Sequence, residues 1–111
     1  MAMVVGLCQL TFRLRQAKSL KDKRRVVRQL VERTRARFAV SIAETGDNDT
    51  HKIIRIGLSV VSNDTRHAHT TIDRVLQFMQ DAHLAELVDA QREVFAWDGT
   101  FDDAPMTMAD L

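Results

Sequence analysis

An α+β sandwich is predicted by three observations on this chain of 111 residues. Four segments alternate apolar and polar residues with a period of two. Two further segments carry an apolar stripe at helical period. Their order along the chain is β-α-β-β-α-β. Two crossover helices around a central hairpin make the ferredoxin-like split-βαβ arrangement, a four-stranded antiparallel sheet with both helices on one face. The length suits one domain. We place it at residues 1–97 and read residues 98–111, which are acidic and hold the only proline, as a mobile C-terminal tail.

Each element has its own justification. From Met3 to Arg15, Val4, Cys8, Leu10, Phe12 and Leu14 share one parity with Gly6, and Val5, Leu7, Gln9, Thr11, Arg13 and Arg15 share the other. That is a strand with one apolar and one mixed face. Ser19, followed three residues later by Asp22, reads as a capping box opening a helix to about Arg37. Leu20, Val26, Val27, Leu30 and Val31 form its stripe. A second strand is expected over residues 38–45, with Phe38, Val40 and Ile42 on one face. Gly46 to Asp49 is turn chemistry. Ile53 to Ser62 alternates again, with Ile54, Ile56, Leu58 and Val60 on one side. Asn63 or Asp64 can cap a second helix with the stripe Ala68, Ile72, Val75, Leu76 and Met79. Leu87 to Trp97 is the fourth strand. There Arg92 falls on the parity of Val88, Ala90 and Val94, so either it reaches the sheet edge or a bulge shifts the register.

Composition narrows the function classes. Apolar content of 45% and charged content of 28% are those of a globular chain. No apolar run approaches the ~18 residues that a membrane span needs. The first residues lack the basic and apolar regions of a signal peptide. A single cysteine allows no intrachain disulfide. A cytoplasmic protein without membrane attachment is the expectation. Cys8 lies on the core parity of the first strand and reads as structural. His67 and His69, two apart on a helix, project about 200° from one another and cannot share a metal. The four glycines, Gly6, Gly46, Gly57 and Gly99, form neither a phosphate-cradling loop nor a Gly-x-x-Gly clamp. On the first and third strands the open sheet face offers Gln9, Thr11, Arg13, Arg55, Gly57 and Ser59, with no aromatic on which bases could stack. No catalytic constellation, cofactor or metal is expected.

The charge distribution is the strongest functional signal. Arg13 to Arg37 carries eleven Lys or Arg against two acids, a net +9, while residues 38–111 carry five bases against thirteen acids, a net −8. On a wheel, Lys21, Arg24, Arg25, Arg28 and Arg35 fall within an arc of about 100° beside the apolar stripe. Arg13, Arg15 and Lys18 lead into the helix N-terminus, whose N–H groups and dipole favour phosphate. Lys23 falls on the apolar stripe, where it either snorkels past the sheet edge or holds an anion near the helix start. These nine residues are the candidate binding set for RNA or a ribosomal surface, recognised through backbone phosphates. A solvated helix face and an acidic protein partner are the competing readings. A different class is a dimeric regulatory or scaffolding domain that binds a protein or a small anionic ligand. It would self-associate through strand edges or through the open sheet face, where Val5, Leu7, Ile53 and Val61 lie.

The segments Ser19-Leu-Lys-Asp-Lys-Arg-Arg-Val26, Arg37-Phe-Ala-Val-Ser-Ile-Ala-Glu44 and Val60-Val-Ser-Asn-Asp64 resemble the YlxP-like family of small uncharacterised bacterial proteins. The resemblance spans roughly Met3 to Trp97, and its first segment is the most specific. It implies a ferredoxin-like fold, a bacterial cytosolic setting and no established enzyme activity. Genes of the family often lie near those of translation initiation and ribosome-maturation factors, which associates it with the ribosome or RNA. The resemblance carries over no site residues.

Overall fold

The computed structural model describes residues 3–47 and 50–98. Six elements follow in the order β1 (Met3–Arg13), α1 (Leu20–Arg37), β2 (Ser41–Gly46), β3 (Ile53–Ser62), α2 (Thr65–Asp81) and β4 (Glu86–Trp97). The strands form one antiparallel sheet in the order β2-β3-β1-β4. This is the ferredoxin-like sandwich. Beyond Asp98 the expected tail lies outside the described residues.

One parity of each central strand faces the helices. Leu10, Phe12, Ile54 and Ile56 are fully buried against Ile72, Val75 and Met79 of α2 and Leu30 of α1. Burying each such side chain contributes on the order of 2 kcal/mol. Gly6 lies in β1 where the strand faces α2, and a Cβ there would stand 2.9 Å from Val60 Cγ1 and 3.0 Å from Ile72 Cδ1. The missing side chain lets the layers close.

The helix ends follow local chemistry. Ser19 Oγ accepts from the Asp22 N–H at 3.1 Å, and the Asp22 carboxylate accepts from the Lys18 N–H at 3.0 Å. That is the expected capping pair, shifted back by one residue on its return arm. Asp64 caps α2 by accepting from the Arg66 N–H at 3.0 Å.

Apart from β1, which ends at Arg13 and not at Arg15, two departures from the sequence reading have physical reasons. β2 begins at Ser41, not at residue 38, because Phe38 ends α1: its N–H donates to the Thr34 carbonyl at 2.9 Å. The Phe38 ring packs edge-on against Phe78 of α2, with centroids 5.5 Å apart. Residues 38–40 therefore cross between layers before pairing starts at Ser41↔Ser59. In β4 a bulge opposite Thr11 and Phe12 changes the parity, so Leu87 turns toward the core while Val88 is exposed. Arg92 stays on the helix-side face, opposite Cys8. Its guanidinium leaves the core to donate to Asp73 of α2 at 2.6 Å and to meet His69 Nδ1 at 3.3 Å. Of the two expected escapes Arg92 takes the edge, because the bulge lies beyond it and leaves it on the parity of Ala90 and Val94.

Candidate functional site

The β1–α1 loop, the β2–β3 hairpin and the α2–β4 turn share one end of the sandwich, because β1 and β2 run in the same direction and β3 runs against them. Contacts tie the first two together. The Leu14 N–H donates to the Lys52 carbonyl at 2.8 Å, and Lys52 Nζ donates to the Arg15 carbonyl at 2.9 Å. Asp47, in the left-handed region at φ 55°, turns the chain into the hairpin.

The nine sequence candidates separate into four groups. Lys21, Arg24, Arg25, Arg28 and Arg35 are exposed along the outer side of α1. Arg35 fixes the position of that side: its Nη2 donates to the Ile42 carbonyl of β2 at 3.0 Å, so the basic arc runs beside the β2 edge of the sheet. Lys18 is exposed one residue before the cap. Arg15 is exposed in the same loop and pairs with Glu86 at 3.1 Å. Arg13 lies on the open sheet face, between Ile53 and Glu86, on the opposite layer from α1.

Lys23 does not belong to the binding set. It is 1% exposed, and its ammonium neither reaches solvent at the sheet edge nor waits for an external anion. It donates to the Asp47 carbonyl and, at 2.6 Å, to the Thr50 carbonyl, with the Glu44 carboxylate 3.3 Å away. The Glu44 oxygen makes no aligned hydrogen bond, so this last contact is an ion pair only. The hairpin supplies acceptors that neither expected fate of Lys23 included.

The helix N-terminus is also less available to phosphate than its dipole suggests. Asp22 places a carboxylate in the first turn and holds the Lys18 N–H there. The basic character of the site therefore rests on the side chains of the outer arc. Among the described residues the ion pairs are Arg15–Glu86, Lys23–Glu44, Arg55–Asp47 and Arg92–Asp73. Lys21, Arg24, Arg25 and Arg28 take part in none of them.

Two features were missed from sequence. Lys52 adds a cation to the loop end that holds Arg15 and Lys18, a placement that follows from the strand directions once the topology is known. The open sheet face is not free of aromatics: Phe95 pairs across from Val5 and Trp97 from Met3. Met3, Leu7, Val61, Phe95 and Trp97 are 37–64% exposed at that end of the face. A shallow depression of about 500 Å³ lies beside them, over Gln9, Gly57, Ser59 and Gln91.

Cys8 is buried, as its parity required. Burial pushes its thiol pKa above the ordinary 9.0, with the Arg92 guanidinium pulling weakly the other way. Such a thiol stays protonated and inert. Among the described residues no group of three or more His, Cys, Asp or Glu is placed to hold a metal ion, and no helix is long and apolar enough to cross a membrane.

Residues 5–92, from β1 into β4, match the model of a protein family described as DUF503, proteins of unknown function. The chain belongs to this family. It is also 32% identical to the uncharacterized protein YlxP of Bacillus subtilis (strain 168) over 76 residues, which are 68% of this chain and 83% of that relative. The DUF503 match takes in all of α1 and its basic arc, and it stops short of Phe95 and Trp97.

Proposed function

We propose that this member of the DUF503 family is a cytoplasmic RNA- or ribosome-associated protein that binds backbone phosphates through the outer side of α1 and performs no reaction on them. One observation carries the reading. Lys21, Arg24, Arg25 and Arg28 stand exposed on one arc with no carboxylate paired to any of them among the described residues. An ordinary solvated helix mixes signs to gain pairs one turn apart. Here like charges repel in the free protein, and a polyanion relieves that repulsion while releasing its own counterions. The acids of residues 38–111 oppose non-specific attachment elsewhere on the surface. Arg15, Lys18 and Lys52 extend the cationic surface around the helix start.

The test is a triple charge reversal, Arg24→Glu, Arg25→Glu and Arg28→Glu. All three side chains are exposed, so the variant keeps its fold by circular dichroism. It is expected to lose RNA binding and co-sedimentation with ribosomal subunits. Binding as tight as that of the parent sinks the proposal.

A second reading is favoured by the apolar end of the open sheet face, where Met3, Leu7, Val61 and Phe95 are exposed together. In that reading the protein is a scaffolding dimer built through this face or through the β4 edge. Such a contact resists salt, whereas phosphate binding weakens steeply with it. Light scattering that finds a strict monomer at high concentration removes this alternative.

A further inference from the structure

We infer that the nucleic acid held by α1 is double-stranded RNA, gripped by its shape and its two phosphate rows with little regard to sequence. The inference rests on the phosphate-binding reading above and names the form of RNA that fits.

The face lacks what an unpaired strand needs. Single strands are held in grooves lined by aromatic side chains on which successive bases stack. The aromatics of the described residues lie elsewhere. Phe12 is in the core, Phe38 and Phe78 pack on one another between the helices, and Phe95 and Trp97 are on the open sheet face. The outer side of a helix is convex, and the depressions of about 500 to 560 Å³ lie off the arc: one holds Arg13 and Arg15 at the loop end, and one holds Arg37 beside Phe38 and Phe78.

The charges also diverge. Arg24 and Arg25 are adjacent in sequence and point about 100° apart, so their guanidinium groups separate by on the order of 10 Å across the helix. One strand offers one row of phosphates, but a duplex groove is flanked by two. Lys21 and Arg28 fill the arc between them.

The depth of insertion separates the duplex forms. α1 is half sunk in the protein: Leu30, Thr34 and Lys23 are buried beneath it, and Arg35 ties its flank to the β2 edge. Base readout in the major groove of B-form DNA needs a helix that projects from its domain, which a helix set flush in this way does less well. The wide, shallow minor groove of A-form RNA accepts such a surface.

The experiment measures fluorescence anisotropy of the full chain and of the triple Glu variant with three probes of equal length: an RNA hairpin stem, oligo(U) and a DNA duplex. The stem is expected to bind at least about tenfold tighter than either competitor at the same salt. The variant is expected to lose all three. Oligo(U) binding as tightly as the stem overturns the duplex assignment, and DNA binding as tightly overturns the A-form assignment. In both cases loss of binding in the variant leaves the phosphate-binding function standing. If the variant binds the stem as the parent does, both the function and this inference fall.

Discussion

Lys23 Nζ stands 3.3 Å from the Glu44 carboxylate, with only 2% of the lysine side chain exposed. The ammonium joins α1 to the β2–β3 hairpin through this pair and through the Asp47 and Thr50 carbonyls. Lys23→Met keeps the apolar stem and removes the charge, leaving two carbonyls without their donor and a carboxylate without its counter-ion. We expect a loss of about 2 to 4 kcal/mol, read from denaturant midpoints. RNA affinity, measured where both proteins are folded, should not change. An unaltered midpoint would show that the hairpin does not depend on the clamp.

Thr34 is the opposite case on the same helix. It is fully buried, and its hydroxyl has no hydrogen-bond partner among the described residues. Thr34→Val keeps the shape and the β-branch and removes an unsatisfied polar atom. Stabilisation by about 1 kcal/mol is expected in thermal melts. A fall in melting temperature would mean that the hydroxyl finds a partner in solution.

These two residues also mark where sequence reading stops. Ile53 to Ser62 was legible to the residue because strict alternation runs between two turn signals. The Ser19 and Asp64 caps and the stripe of α2 were legible because each depends on neighbours within a few positions. The wheel placed Lys23 on the apolar stripe correctly, but its acceptors lie 24 and 27 residues away in a hairpin. Nothing local announces that contact. The Arg92 partners on α2 are hidden for the same reason. Of the candidate site, the helical arc was legible from periodicity. Sequence proximity to the helix put Arg13 in the binding set, although its parity already assigned it to the open sheet face, where it lies.

Close packing at two glycines gives a ranked prediction. Gly6→Ala drives a Cβ to 2.9 Å from the stiff Val60 side chain inside the core, and should cost about 1 to 3 kcal/mol. Gly57→Ala meets Thr45 Cγ2 at 2.7 Å, but Thr45 is exposed on the edge strand and can turn away. Chemical denaturation should therefore rank Gly6→Ala as the less stable variant. The reverse order would mean that the contact between β1 and α2 yields more easily than the β2 edge does.

Cys8 gives a pH dependence with a definite sign. Its folded pKa is raised above 9.0 by burial, so as the pH rises past 9.0 the unfolded thiol loses its proton first. The contribution of the neutral thiol is complete below that value and is lost as pH rises through the folded pKa. The stability difference between the parent and Cys8→Ala should shrink on crossing 9.0, with other titrating groups cancelling in the comparison. A difference independent of pH would show that the thiol ionises alike in both states. Thiol reagents should label Cys8 only after denaturation.

The basic arc predicts how salt dependence changes residue by residue. Each phosphate neutralised adds about 0.9 to the slope of log affinity against log salt on a duplex. Arg28→Gln removes an exposed cation with no acid paired to it, so the slope should fall by about that amount. Arg35→Gln should reduce it less, because one guanidinium nitrogen is already committed to the Ile42 carbonyl. Arg13→Gln lies on the far layer of the sheet and should leave the slope nearly unchanged. Anisotropy titrations at several salt concentrations measure all three on one RNA stem. Equal slopes for Arg28→Gln and the parent would remove α1 from the interface. A large fall for Arg13→Gln would move the interface to the open sheet face, where Arg55 and Phe95 also lie.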